Sequence, residues 1–253
     1  MRLANKIAIV VGAGQQPGET MGNGRATALR FAEEGATVLV VDRDQALATD
    51  TLAMIEDKGG AGTALAADIT SEDDCRAIAE TCVERYGRID ILHNNVGRSE
   101  GDRETATLDA DVWDGLMAMN LRGMFLTCKH VLPVMRELGS GAIVNISSKA
   151  AILGSPNEYI DYAASKGAIE TLTTGLAKEV ATEGIRVNAV RPGLIETDIH
   201  ALSGDPDRPD KLRATIPMQR SGEVEEVAQA IVWLASDEAS YSTGAFIDVT
   251  GGR

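Results

Sequence analysis

Short β-branched runs alternate with longer helical patterns from one end of the chain to the other. The strand-like runs fall at 7–11, 37–41, 63–67, 89–93, 142–146, 186–190 and 245–249. They are almost continuously apolar, as strands covered on both faces must be. Between them the periodicity predicts helices over 24–34, 45–57, 72–86, 110–138, 159–182 and 224–236. This alternation specifies right-handed βαβ units, and therefore an α/β fold with a doubly wound parallel sheet of about seven strands. No repeat, linker or low-complexity segment interrupts it, so 1–253 reads as a single domain. One long irregular stretch, 192–217, carries Gly204, Pro206 and Pro209 and has the length of a lid or binding loop.

A chain of 253 residues, 44% hydrophobic and 25% charged, can bury a substantial core. Its formal charge of −14 opposes binding to nucleic acid or to an anionic membrane, since both require a basic face. Cys75, Cys82 and Cys128 show no CxxC spacing, which fits a reducing compartment and neither a disulfide framework nor a zinc site. No metal ligand set is expected. The first apolar run is too short for a signal peptide and breaks into a glycine loop; no run approaches a membrane span. A cytoplasmic location follows as the expectation.

That glycine loop, from Gly12 through Gly14, Gly18 and Gly22 to Gly24, lies between the first strand and the first helix. Glycines there let the backbone approach a pyrophosphate, whose charge the free helix N–H groups and dipole hold. A simple strand-to-helix turn would also use glycine. Asp42, eighteen residues beyond Gly24, ends the second strand where a carboxylate accepts hydrogen bonds from an adenosine ribose. A carboxylate there repels a 2′-phosphate and favours NAD; the neighbouring Arg43 leaves NADP open. Asp68, after the third strand, can either reach an adenine or cap the turn before Thr70 and Ser71.

Tyr162 and Lys166 are four residues apart, so phenol and ammonium project from one helix face. A phenol with a pKa of about 10 is a poor acid or base at neutral pH, and a fixed cation beside it favours the phenolate. Removing a hydride from a secondary alcohol also requires the hydroxyl proton to leave, so a base must touch that oxygen. Ser148 upstream supplies a donor that can fix the same oxygen and stabilise its developing charge.

Taken in order, the glycine loop, Asp68, Asn94-Asn95-Val96-Gly97, Asn120, Asn145-Ile146-Ser147-Ser148, Tyr162 to Lys166 and Arg191-Pro192-Gly193 resemble the short-chain dehydrogenase/reductase family over about 6–253. The resemblance implies a Rossmann-type three-layer α/β/α sandwich that binds NAD or NADP and interconverts a secondary alcohol and a ketone. Its cofactor half would be roughly 1–140, and its catalytic and substrate half roughly 141–253. It implies Tyr162 as general acid/base, Lys166 as the group that lowers its pKa and holds the nicotinamide ribose, Ser148 on the substrate oxygen, and Asn120 anchoring a water chain. Cofactor contacts carried over are Gly12, Gly14, Gly22, Asn23, Gly24, Asp68, Ile69, Asn94, Val96, Gly97, Pro192, Gly193, Ile195 and Thr197. The three residues between Tyr162 and Lys166 resemble alcohol/ketone oxidoreductases; enoyl reductases of related fold generally place six there.

The chain departs from that pattern mainly in the glycine loop. Gly22 and Gly24 fall ten and twelve residues after Gly12, six more than the family usually has, and the excess is expected to bulge over the pyrophosphate as a lid or added contacts. Ser148 precedes Tyr162 by fourteen residues where thirteen is frequent, which leaves Ser147 as an alternative. Arg98, Lys149, Ile152, Leu153, Asn157, Glu158, Tyr159 and His200 are the expected pocket walls. Their polarity hints at a sugar or polyol, and a 3-oxoacyl compound is the other substrate considered. The end of the chain, 241–249, resembles the segment that family members pair across a two-fold axis, so a homotetramer is expected. The rival reading is a catalytically silent dinucleotide sensor or scaffold.

Overall fold

The alternation of apolar residues along each strand divides them between two cores. In β1 (Ile7–Val11), Ala8 and Val10 enter one buried cluster and Ile9 and Val11 the other. In β2 (Thr37–Asp42), Val38 and Val40 part from Leu39 and Val41 in the same way. The computed structural model describes residues 1–99, 104–198, 200 and 204–253. It places β1, β2, β3 (Ala61–Ala66), β4 (Ile91–Asn94), β5 (Gly141–Ile146), β6 (Ile185–Pro192) and β7 (Phe246–Val249) in one sheet of order β3-β2-β1-β4-β5-β6-β7. Every pairing is parallel.

Helices cover both faces, as the expected doubly wound fold requires. One layer has α1 (Asn23–Glu33), α2 (Gln45–Asp57) and, numbered last in the chain, α9 (Val224–Ala235). The other has α3 (Glu72–Tyr86), α5 (Gly123–Leu138) and α7 (Ile160–Val180). The three cysteines are free and buried, Cys75 and Cys82 under α3 and Cys128 under α5. Among the described residues no helix is long and apolar enough to cross a membrane.

Several expected elements differ in detail: the strand expected over 63–67 runs Ala61–Ala66, and that over 89–93 runs Ile91–Asn94. The helix over 110–138 is three pieces: α4 (Ala110–Met117), a π-helical turn (Ala118–Arg122) and α5. A π turn inserts one residue into the helical path and rotates the next turn about the axis; here it turns Asn120 wholly inward. The described residues of 192–217 include α8 (Arg208–Leu212, Pro209 at its start) and a 3₁₀ turn (Arg213–Thr215). A short helix α6 (Ala150–Leu153) also precedes α7. The order of the sheet reverses between β1 and β4, so the loops leaving those strands diverge and open a crevice at the carboxyl edge.

Candidate active site

Gly12 ends β1 in the left-handed region, φ 77°, where its N–H donates to Val41 O at 2.8 Å. A Cβ there would come within 2.8 Å of Val96 Cγ2, and one on Gly24 would overlap the Gly12 carbonyl. Asn95 Nδ2 donates to that same carbonyl at 3.1 Å, tying the loops after β1 and β4 together. Backbone therefore approaches backbone at the N-terminus of α1, leaving a cradle without side chains. Asn23, in the first turn of that helix, has a buried Oδ1 with no partner. Turning its amide over, a choice that the hydrogen-bond network decides, would present donors to the cradle, which is what a phosphate needs.

A cleft of about 600 Å³ runs from this cradle to Tyr162, within the range of small-molecule sites. Gly12, Gly14, Gly22, Asn23 and Gly24 line one end, and Gly97, Ser148, Tyr162 and Lys166 the other. Pro192, Gly193, Ile195 and Thr197 form the wall between. A phosphate cradle joined to a phenol by one continuous cleft fits a nicotinamide dinucleotide.

Lys166 is fully buried, and its Nζ donates to Ile146 O at 2.9 Å and lies 5.5 Å from the centroid of the Tyr162 ring. Asn120 Nδ2 donates to Ser165 Oγ and to Arg98 O, both at 3.1 Å, while its Oδ1 accepts from Arg98 N at 3.2 Å. The π turn thus locks the loop after β4 against α7. Ser148, half-buried, faces the phenol, and its Oγ accepts from Ala150 N at 3.2 Å. Ser147 is turned away: its hydroxyl donates to Glu170 Oε1 at 2.8 Å. Glu170 in turn accepts from Arg191 Nε at 2.5 Å and Nη2 at 2.8 Å, and Asp248 joins Arg191 to Lys149. Both serines line the cleft, and of the two it is the Ser148 hydroxyl that lies beside the phenol.

Burial dominates both titrating groups. It pushes the Tyr162 phenol up to about 12, against the lowering effect of the Ser148 hydroxyl beside it. It pulls the Lys166 ammonium down to about 7. Desolvation works against both charges at once, raising the phenol and lowering the ammonium.

Several expected cofactor residues lie outside the cleft lining. Asn94 is one: its side chain is buried in the sheet, donating to Asn145 Oδ1 at 3.0 Å and accepting from Thr127 Oγ1 at 2.7 Å. Asn95 faces the cleft instead. Asp42 accepts from Gly14 N at 3.1 Å and Asp44 N at 3.2 Å, and so closes the turn beside the cradle; Arg43 is exposed next to it. Asp68 accepts from Thr70 N at 2.9 Å and Oγ1 at 2.7 Å, which holds its carboxyl below the usual range and makes it the cap of a turn. Ile69 is buried against Gly123, and Val96 packs under Gly12.

The wall beyond Ser148 contains Lys149, Leu153, Glu158, Tyr159 and His200, as expected, but not Arg98, Ile152 or Asn157. His200 Nε2 donates to Ile195 O at 2.9 Å, and burial lowers its pKa. Arg208 is an addition to the expected wall. It pairs with Glu158, donates to Tyr159 OH at 2.8 Å and lies 5.0 Å over the Tyr159 ring, which packs edge-on to Tyr162 with centroids 5.7 Å apart. Nothing in the sequence around Arg208 distinguishes it from other loop cations. Asp198 and Gln15 are further additions; both line the cleft.

Comparison with known proteins agrees with this arrangement. The family model described as "Enoyl-(Acyl carrier protein) reductase" matches residues 18–253. The uncharacterised oxidoreductase YgfF of Escherichia coli K12 is 48% identical over 240 residues, covering 93% of this chain and 97% of that protein. A crystal structure from Burkholderia xenovorans, described as a short-chain dehydrogenase/reductase, superposes with a TM-score of 0.93 at 41% identity, covering 99% of this chain and 97% of that one. A gluconate 5-dehydrogenase from Burkholderia cenocepacia, solved with NADP and tartrate, superposes with a TM-score of 0.91 at 33% identity, covering 99% and 96%.

Proposed function

The chain belongs to the short-chain dehydrogenase/reductase family, and from that premise we propose that it interconverts a secondary alcohol and a ketone using NAD or NADP. The observation that carries this reading is the cleft that joins the glycine cradle to Tyr162, with Ser148 beside the phenol and Lys166 buried beneath. When bound, the dinucleotide supplies the acceptor for the carbinol hydride.

In this reading the ionised Tyr162 takes the hydroxyl proton as the carbon–oxygen double bond forms. Ser148 donates to the same oxygen and fixes it against the phenol, which limits the search for a reactive geometry. Lys166 shares a low-dielectric site with Tyr162, so a positive charge brought into the cleft acts on the phenol with little screening. Asn120 holds the loop that carries Gly97 and so keeps Lys166 in place. The three-residue gap between Tyr162 and Lys166 supports alcohol/ketone chemistry over the enoyl reduction in the family model's description.

Asp42 supports NAD over NADP, since a 2′-phosphate beside it would meet a like charge. The polar wall of Lys149, Glu158, Tyr159, His200 and Arg208 supports a sugar, a polyol or a comparable hydroxylated compound over a 3-oxoacyl one. A homotetramer is proposed through the sheet edge at β7, where Tyr241 is fully exposed.

The test is a panel of secondary alcohols and polyols mixed with purified protein and NAD or NADP in parallel, monitored by absorbance of the reduced cofactor. Turnover of at least one alcohol supports the reading. Binding of cofactor without turnover of any alcohol or ketone would replace it with a dinucleotide sensor.

A further inference from the structure

The residues by which the glycine loop exceeds family length have a partner in the segment after β6. Thr20 N donates to both carboxylate oxygens of Asp198 at 3.2 Å, and Thr20 Oγ1 donates to Oδ1 at 2.9 Å. Gly18 packs so closely on Asp198 that a Cβ would overlap its Oδ2. The loop is also tied to itself: Gln15 Oε1 accepts from Gly22 N at 2.6 Å and Gln15 Nε2 donates to Thr20 O. The tip that reaches Asp198 is therefore preorganised by one side chain at its base.

Gln15, Gln16 and Gly22 of the glycine loop line the cleft, and so do Thr197 and Asp198 of the segment after β6. The Thr20–Asp198 contact thus ties the lengthened glycine loop to the segment after β6 at the cleft. A free carboxylate on the wall of a phosphate site would repel the ligand. Three hydrogen bonds from Thr20 hold this one in place and satisfy it instead.

We infer that Thr20 and Asp198 form a clasp that retains the dinucleotide, holding the lengthened glycine loop down across it so that dissociation requires the contact to open. Both are positioning residues: they act through the loop. The inference rests on the reading of the cleft as an NAD(P) site.

Stopped-flow fluorescence of bound NADH, displaced by excess NAD, reads the step directly, with equilibrium affinity measured alongside. Thr20→Val and Asp198→Asn are each expected to raise the dissociation rate constant about tenfold, the value of one or two hydrogen bonds, with association little changed. The double variant is expected to add less than about twofold, because both substitutions open the same contact. Deletion of 16–21, which restores family spacing between Gly12, Gly22 and Gly24, should dissociate as fast as the double variant while keeping its fold by circular dichroism. Slower or unchanged dissociation in Asp198→Asn would overturn the clasp, as would fully additive effects of the two substitutions. Failure of the parent chain to bind either NADH or NADPH would instead remove the reading of the cleft, and the clasp with it.

Discussion

Gly97 and Lys166 stand so close that a Cβ on the glycine would lie 2.5 Å from the lysine Nζ. The amine is held on its other side by the Ile146 carbonyl at 2.9 Å, so it has nowhere to withdraw. Gly97→Ala is expected to push the ammonium off its seat and lower turnover about a hundredfold, the scale of an ångström misplacement. Steady-state kinetics with saturating cofactor check this; turnover within about twofold of the parent contradicts it.

Tyr162→Phe removes the proposed base and leaves the ring, which packs edge-on against Tyr159. Turnover is expected to vanish, while the dissociation constant for NADH changes by less than about threefold, a fraction of a kcal/mol. Calorimetric titration with NADH, run beside the activity assay, separates the two. Retained turnover would assign the proton transfer to another group.

Lys166 links stability to pH. Burial lowers its pKa from 10.5 to about 7, so the folded state binds fewer protons than the unfolded state between those values. Stability should therefore rise with pH across that window, and the burial penalty is complete only below about pH 7. Lys166→Met abolishes this dependence. Chemical denaturation of both proteins at about pH 6.5 and about pH 9.5 should show the parent gaining roughly a few kcal/mol on the variant as pH rises. The Tyr162 phenol, pushed up to about 12, does not ionise in the fold over that range. A constant difference between the two proteins contradicts the assignment.

Asp42 is expected to set the cofactor preference. Asp42→Ser removes the like charge that a 2′-phosphate would meet, and also the acceptor for Gly14 N. The ratio of kcat/KM with NADP to that with NAD should rise about tenfold or more, a modest electrostatic change. The ratio, not either activity alone, is the measurement, since the altered turn weakens both cofactors.

Glu170 offers a test of the supporting frame. Glu170→Gln leaves the half-buried Arg191 without its two-pronged partner, and is expected to cost about 2–3 kcal/mol. Arg191→Met on the same background should recover part of that loss, because it removes a charge left with only its 3.3 Å ion pair to Asp248. Urea denaturation of Glu170→Gln, Arg191→Met and the double variant gives the result; additive losses would mean the pair is not coupled.

Much of this is legible in the residues. Seven apolar runs between helical patterns suffice for a doubly wound sheet, because burial of the five central strands on both faces leaves them no polar alternation to confuse the reading. Tyr162, Lys166 and Ser148 are legible because helix spacing and chemistry agree. Asn94 is not: next to Asn95, only the two-residue period of β4 decides which amide enters the sheet and which faces the cleft. The break in the long helix at Asn120 leaves no mark either, since a π turn costs no glycine or proline. Asp198 and Arg208 gain their places through contacts with residues 178 and 49 positions away, and no local pattern records such distances.

The stacking of Arg208 on Tyr159, and the edge-on packing of Tyr159 against Tyr162, bear on engineering. The segment that carries α8 has the look of a module to exchange when a new substrate is sought. It is not modular, because its arginine braces the aromatic ring that braces the proposed base. A graft of 205–212 that omits a cation at position 208 would alter proton transfer and specificity together. Retaining Arg208, Glu158 and Tyr159 as one inherited unit, and varying the chain around them, keeps the two properties separable.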